Sequence, residues 1–195
     1  MNPEARRNHD KTKGLVEQLL TLIGEDPARQ GLKRTPERVA DMLAEVTRGY
    51  AMSPSVLLKD AVFEVKGDSM LVVKDVEFYS LCEHHLLPFF GKIHVGYIPR
   101  GKAVGLGKIP QAVEMFARRL QVQERLTEQV AALLEQALDP QGVGVVAEGF
   151  HLCLAMRGMQ KQGARLVTSS MKGLFRRDVR TRAEFLQLIG KGSAA

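Results

Sequence analysis

Cys82, Glu83, His84 and His85 set a thiol, a carboxylate and two imidazoles in four consecutive positions, between the apolar flanks Leu81 and Leu86-Leu87. The chain holds two cysteines, Cys82 and Cys153, and five histidines, of which His84, His85 and His151 stand close to a cysteine. A Cys-x-x-His spacing lets one backbone turn offer two ligands to one metal. Cys82 and His85 have that spacing, which leaves His84 pointing elsewhere and free to move protons. The second cluster is His151-Leu152-Cys153. Its setting, 142–159, alternates and is rich in valine and leucine, so it reads as a strand, on which residues two apart share a face. His151, Cys153, Ala155 and Arg157 are then expected on one face, and Leu152, Leu154 and Met156 on the core side. Cys82, His85 and Cys153 make three soft or borderline donors, a set that suits zinc. Three protein ligands leave a position for water, the pattern of catalytic rather than structural zinc, and zinc makes water nucleophilic near neutral pH. A lone His-x-Cys would suit a small buried thiol and an ordinary histidine; together with Cys-Glu-His-His it favours a metal.

These groups need a framework, and the composition supplies one. At 195 residues the chain can bury a full core, and 45% hydrophobic with 26% charged residues is a globular balance. The formal net charge of +6 favours anionic partners such as nucleotides, nucleic acid or polyphosphate. Aromatic residues at 6% and no tryptophan argue against a base-stacking surface, so no nucleic-acid partner is expected. Two distant cysteines beside histidines are no disulfide framework. No secretory leader and no bilayer-length apolar run are evident, so the expected location is the cytoplasm, without a membrane partner.

Along the chain, 1–13 is polar and reads as a frayed end. Leu15, Val16, Leu19, Leu22 and Ile23 have helical spacing, with Gly24 as the stop. Thr35 as N-cap and Pro36 at the first position open a second helix carrying Val39, Met42, Leu43 and Val46. Stretches 56–65 and 70–78 read as two strands around Lys66-Gly67-Asp68-Ser69, and 91–99 as another. His94 lies between apolar residues there and reads as a hydrogen-bonded histidine, not a fourth ligand. A helical stretch from about Pro110 to Leu138 carries two apolar stripes with a kink at 121–124. After the His-x-Cys strand, Gln162-Gly163 turns the chain into a strand over 165–171, and Thr181-Arg182-Ala183-Glu184 is a capping box for the last helix. The order predicts an α+β fold: a mainly antiparallel sheet with long helices on one face, plus a small N-terminal helical layer. The expected division is an N-terminal helical segment, 1–55, and a catalytic domain, 56–195.

The sequence resembles GTP cyclohydrolase I over nearly its whole length, from Gly31-Leu32-Lys33-Arg34-Thr35-Pro36-Glu37-Arg38-Val39 to Thr181-Arg182-Ala183-Glu184-Phe185-Leu186. The densest matches are Cys82-Glu83-His84-His85, the run Gln121-Val122-Gln123-Glu124-Arg125-Leu126-Thr127, and His151-x-Cys153-x-x-x-Arg157-Gly158. The resemblance implies the tunnelling fold, in which subunits pool their sheets into a barrel and stack as a homodecamer with active sites between subunits. It implies conversion of GTP and water to 7,8-dihydroneopterin triphosphate and formate. It assigns one zinc per subunit to Cys82, His85 and Cys153, and proton transfer to His84 and His151. Gln123 and Glu124 become the guanine readers, and Lys108, Arg157 and Arg38 of a neighbouring subunit the triphosphate binders. Two positions depart from the family pattern: Gly107 and Gln111 stand where a serine and an arginine are usual, so a hydroxyl and a guanidinium are missing from the expected phosphate site.

Overall fold

The structure, a computed structural model, describes residues 3–190. The chain divides into two compact units, Met1–Arg48 and Gly49–Ala195. The first contains α1 (Pro3–Leu22) and α2 (Thr35–Val46), tied by His9 Nε2 and Asp41 Oδ1 at 2.8 Å. The frayed end expected over 1–13 is corrected, since α1 is helical from Pro3; Met1 and Asn2 lie outside the described residues. Polar residues such as Arg6, Arg7 and Lys11 are adequate helix formers, and polarity alone does not unwind them. α2 takes Arg34 as its N-cap, without a side-chain capping bond, so Thr35 is already helical. Pro36 explains why no capping hydroxyl is needed: its φ is pre-set for the first turn and it has no N–H to satisfy.

The second unit contains α3 (Pro54–Leu57), β1 (Val62–Glu64), β2 (Leu71–Cys82), β3 (Pro88–Ile98), β4 (Lys102–Val104), α4 (Lys108–Ala117), β5 (Leu120–Gln121), α5 (Gln123–Leu138), β6 (Gly142–His151), α6 (Leu152–Ala155), β7 (Leu166–Gly173), α7 (Leu174–Arg177) and α8 (Val179–Gly190). Its main sheet has the order β5-β2-β3-β6-β7 and is antiparallel except for the β5–β2 pair. Of the two strands expected around 66–69, the second, 70–78, forms within β2, and the first does not form as drawn. β1 is short and pairs with β4, while Val56 and Leu57 belong to α3, begun by Pro54. The long helix expected from 110 to 138 is two helices. Between them β5 aligns Leu120 with Leu81 and Gln121 with Cys82. Val122 follows in an extended conformation, which suits a β-branched residue.

Strand alternation sorts the core. Val143, Val145 and Ala147 of β6 join Ile109 and Val113 of α4 and Leu126, Val130 and Leu134 of α5 in one buried cluster. Val146 and Ile98 join Phe175 and Phe185 in a second. The long helices thus share one side, as expected, and α7–α8 cover part of the other. Gly96 and Gly144 are register partners. A Cβ on Gly144 would lie 2.4 Å from Phe175, and one on Gly96 2.8 Å from Phe185. The paired glycines are therefore a notch for these two rings, which meet edge to face at 5.3 Å. α8 starts earlier than the capping box at Thr181 suggested. Asp178 accepts the Arg180 N–H at 2.9 Å and the Thr181 hydroxyl at 3.1 Å, leaving Thr181 inside the helix. Among the described residues no helix is long and apolar enough to cross a membrane.

Candidate metal centre and active site

β2 ends in a tight turn. The Cys82 carbonyl accepts the His85 N–H at 3.3 Å and the Leu86 N–H at 2.8 Å, and the Cys82 N–H donates to the Leu87 carbonyl at 2.9 Å. Leu86 is left-handed, with φ 56°, a conformation that disfavours a residue with a Cβ by about 1–2 kcal/mol. The bonds on either side hold it there. The Glu83 N–H donates to the Gln121 carbonyl at 3.0 Å, so β5 supports the turn from its other side. The result brings His85 Nδ1 to 3.6 Å from Cys82 Sγ. For ordinary zinc–sulfur and zinc–nitrogen bonds, the S···N edge of a tetrahedron is about 3.6 Å.

β6 ends at His151, and the strand expected to reach 159 turns there into α6. The expected row of His151, Cys153, Ala155 and Arg157 on one strand face is corrected accordingly. Ala155 is buried and Arg157 exposed. The helical turn nevertheless delivers the second thiol, because the ligand atoms of Cys82, His85 and Cys153 all lie within 4.8 Å of one another. Cys82 is buried, Cys153 half-buried and His85 exposed. Burial, then the neighbouring Cys82, push the Cys153 thiol up, against the positive charge of Arg157. Two adjacent thiols resist ionising together, and a divalent cation between them reverses that. The donor set and its spacing therefore fit a metal ion.

The His151 ring stacks on buried Phe89 at 4.6 Å and 9°, and its Nε2 lies 2.9 Å from Gln123 Oε1. Gln123 is fully buried. Its amide nitrogen donates to Ala147 O at 3.1 Å, Leu166 O at 2.9 Å and Thr168 Oγ1 at 3.1 Å. The side chain expected to read guanine is thus turned inward, among α5, β6 and β7. Burial pushes His151 below its ordinary pKa, and the charge of Glu124 opposes this. Glu124 itself is exposed on the first turn of α5.

The sequence reading missed the Glu83–Arg125 pair. Arg125 Nη1 and Nη2 donate to both Glu83 oxygens, at 2.5 and 2.9 Å. The Arg125 hydrogen bond holds the Glu83 carboxyl below its ordinary range. No local signal announces a pair 42 residues apart. His84 is exposed, with Nε2 3.8 Å from Glu83 Oε1. Lys108 opens α4, and its Nζ lies 3.5 Å from Gln111 Oε1. Gly107 is the N-cap of that helix and offers no capping side chain. Arg38 is exposed on the first turn of α2, in the N-terminal unit.

Comparison with known proteins sets these groups in a family. A protein named GTP cyclohydrolase 1 from Methylococcus capsulatus is 54% identical over 183 residues, covering 94% of this chain and 99% of that one. A protein of the same name from Chlorobaculum tepidum is 57% identical over 175 residues, covering 90% and 78%. Another, from Leptospira biflexa, is 53% identical over 181 residues, covering 93% and 99%. Among solved structures, the apo form of the archaeosine synthase QueF-Like aligns with 55% of this chain and 97% of that one, at a TM-score of 0.47 and 19% identity. Residues 12–190 match the family model described as GTP cyclohydrolase I, and the chain belongs to that family.

Proposed function

We propose that this chain is a zinc-dependent GTP cyclohydrolase I, which opens the guanine imidazole ring of GTP and yields 7,8-dihydroneopterin triphosphate and formate, the first step toward tetrahydrofolate. The observation that carries the reading is the convergence of Cys82, His85 and Cys153, within 4.8 Å, in a chain of this family. Zinc, one per subunit on these three donors, supplies a Lewis acid that makes water nucleophilic at neutral pH. His84 and His151 move the protons. Breaking the imidazole C–N bond requires a proton at the departing nitrogen, and the later ribose rearrangement and ring closure require others removed and returned. Imidazoles do both near neutrality. Glu124 accepts the N1–H and 2-amino donors of guanine; adenine lacks that pair and would leave the carboxylate unpaired. Lys108, Arg157 and a neighbouring subunit's Arg38 hold the triphosphate, with Lys108 at the positive end of a helix.

The finer architecture belongs to the same proposal. The catalytic domain is 56–195, behind an N-terminal helical segment, 1–55. Subunits pool their sheets into a barrel and form a cytoplasmic homodecamer with active sites between subunits. The test is formate release. Zinc-loaded protein given GTP should release one formate per GTP and form a pterin triphosphate; zinc-loaded protein that binds GTP yet releases no formate would sink the reading.

A further inference from the structure

We infer that Gln123 is a positioning residue for His151: its side-chain carbonyl holds the imidazole with the ring proton on Nε2, leaving Nδ1 as the acceptor nitrogen of the ring. This rests on the reading of His151 as a proton-transfer group. The chain of reasoning starts at two main-chain carbonyls. Ala147 O and Leu166 O lie 3.1 and 2.9 Å from one end of the Gln123 amide, and a carbonyl can only accept. That end is therefore the NH2 group, and Oε1 faces His151. An acceptor 2.9 Å from His151 Nε2 requires a proton on that nitrogen.

The amide has no freedom to turn. Gln123 Nε2 also donates to Thr168 Oγ1 at 3.1 Å. The Thr127 hydroxyl donates to the main-chain carbonyl of Gln123 at 2.8 Å, so at the 2.6 Å contact between the threonines Thr168 is the donor. The relay closes on itself, the two amide protons being shared among three acceptors. Phe89 fixes the plane of the imidazole by stacking. Gly149 lets the strand approach the amide: a Cβ there would come within 2.2 Å of Gln123 Oε1. A side chain so committed cannot offer its amide to a purine without breaking these bonds.

Gln123→Met keeps the length and removes both hydrogen-bonding ends. The expected result is full zinc content, a KM for GTP within about twofold of the parent, and kcat lower by about 10–100-fold, the usual scale for a residue acting through another. Gly149→Ala displaces the amide oxygen without altering Gln123 and should give the same pattern. In zinc-loaded protein labelled with 15N-histidine, the parent should show a protected Nε2–H of His151, assigned by its loss in His151→Ala and weakened or absent in both variants. A raised KM with kcat retained in Gln123→Met would make Gln123 a guanine contact and overturn the inference. Zinc loss from that variant, or an Nδ1–H tautomer in the parent, would also overturn it. If Gln123→Met fails to fold, Gly149→Ala and the parent spectrum decide. A parent that releases no formate would remove the proposed reaction, while the ring spectrum would still decide the tautomer.

Discussion

Two histidines are assigned proton transfer, and the protein holds them differently. His84 has an exposed side chain with Nε2 3.8 Å from Glu83, whereas His151 is stacked on Phe89 and bonded to Gln123. Neither ring belongs to the group of donors that converges for a metal. His84→Ala and His151→Ala should therefore keep stoichiometric zinc and lose turnover by about a hundredfold or more, while Cys153→Ser should lose zinc and activity together. Elemental analysis beside steady-state rates separates the cases, and stoichiometric zinc release from either histidine variant would make that histidine a ligand. Glu124 tests the substrate end. In Glu124→Gln an amide donor meets the donor edge of guanine, and GTP affinity measured by calorimetry should fall by about tenfold or more, the loss of a charged hydrogen bond. Undiminished affinity at full zinc would return Glu124 to an ordinary solvated helix charge.

At the scale of elements, the turn that carries Cys82 and His85 is held on two sides. β5 supports it through the Glu83 N–H, and α5 through the bidentate Arg125–Glu83 pair. An exposed ion pair contributes little to global stability, so its effect should be local. Arg125→Ala should leave the melting temperature nearly unchanged while weakening zinc retention against a chelator, and Arg125→Lys should restore only part of it, because an ammonium lacks the planar fork. Equal chelator half-times in parent and Arg125→Ala would show that β5 alone suffices. The same elements show what the sequence disclosed. The convergence of Cys82, His85 and Cys153 was legible because Cys82 and His85 share one turn and Cys153 stands near a histidine. The turn at His151 was not, because Leu152, Leu154 and Met156 continue an alternation that a strand and a short helical turn satisfy alike. The break at Leu120–Gln121 was legible only as a kink at 121–124, since what makes it extended is pairing with β2, nearly forty positions away. The inward place of Gln123 was not legible for the opposite reason. Its neighbour Glu124 is exposed, but one step along a helix rotates the side chain by about 100°, and that carries Gln123 into the core.

For the molecule as a whole, ionisable groups point the same way under acid. Burial pushes His94 down from its ordinary value of 6.5, with Lys92 and Lys74 reinforcing and Asp75 and Glu148 opposing; its Nδ1 accepts the Asp75 N–H. Below about that pH the unfolded chain binds more protons than the folded one, so stability falls as pH falls. Hydrogen bonds from Arg125, Lys92, Lys172 and the Arg180 N–H hold Glu83, Asp75, Glu128 and Asp178 below their ordinary range. The same sign applies to them, in a window below about pH 4.5. Because these carboxylates are at least partly exposed, each contributes little, and denaturant midpoints should decline gently from pH 7 to 5.5 and again below 4.5; a maximum under pH 5 would contradict the assignment. The paired-glycine notch has a consequence for how the chain is made. β3 and β6 carry Gly96 and Gly144, but the rings that fill the notch, Phe175 and Phe185, leave the ribosome later. Until then a nascent chain, folding from its N-terminal side, exposes an open apolar slot on an otherwise formed sheet. A message interrupted after codon 174 should yield protein that pellets with chaperones bound, even though every proposed metal ligand and both proposed proton-transfer histidines have already been translated. Soluble, metal-loaded product from such a message would show that the sheet tolerates an empty notch.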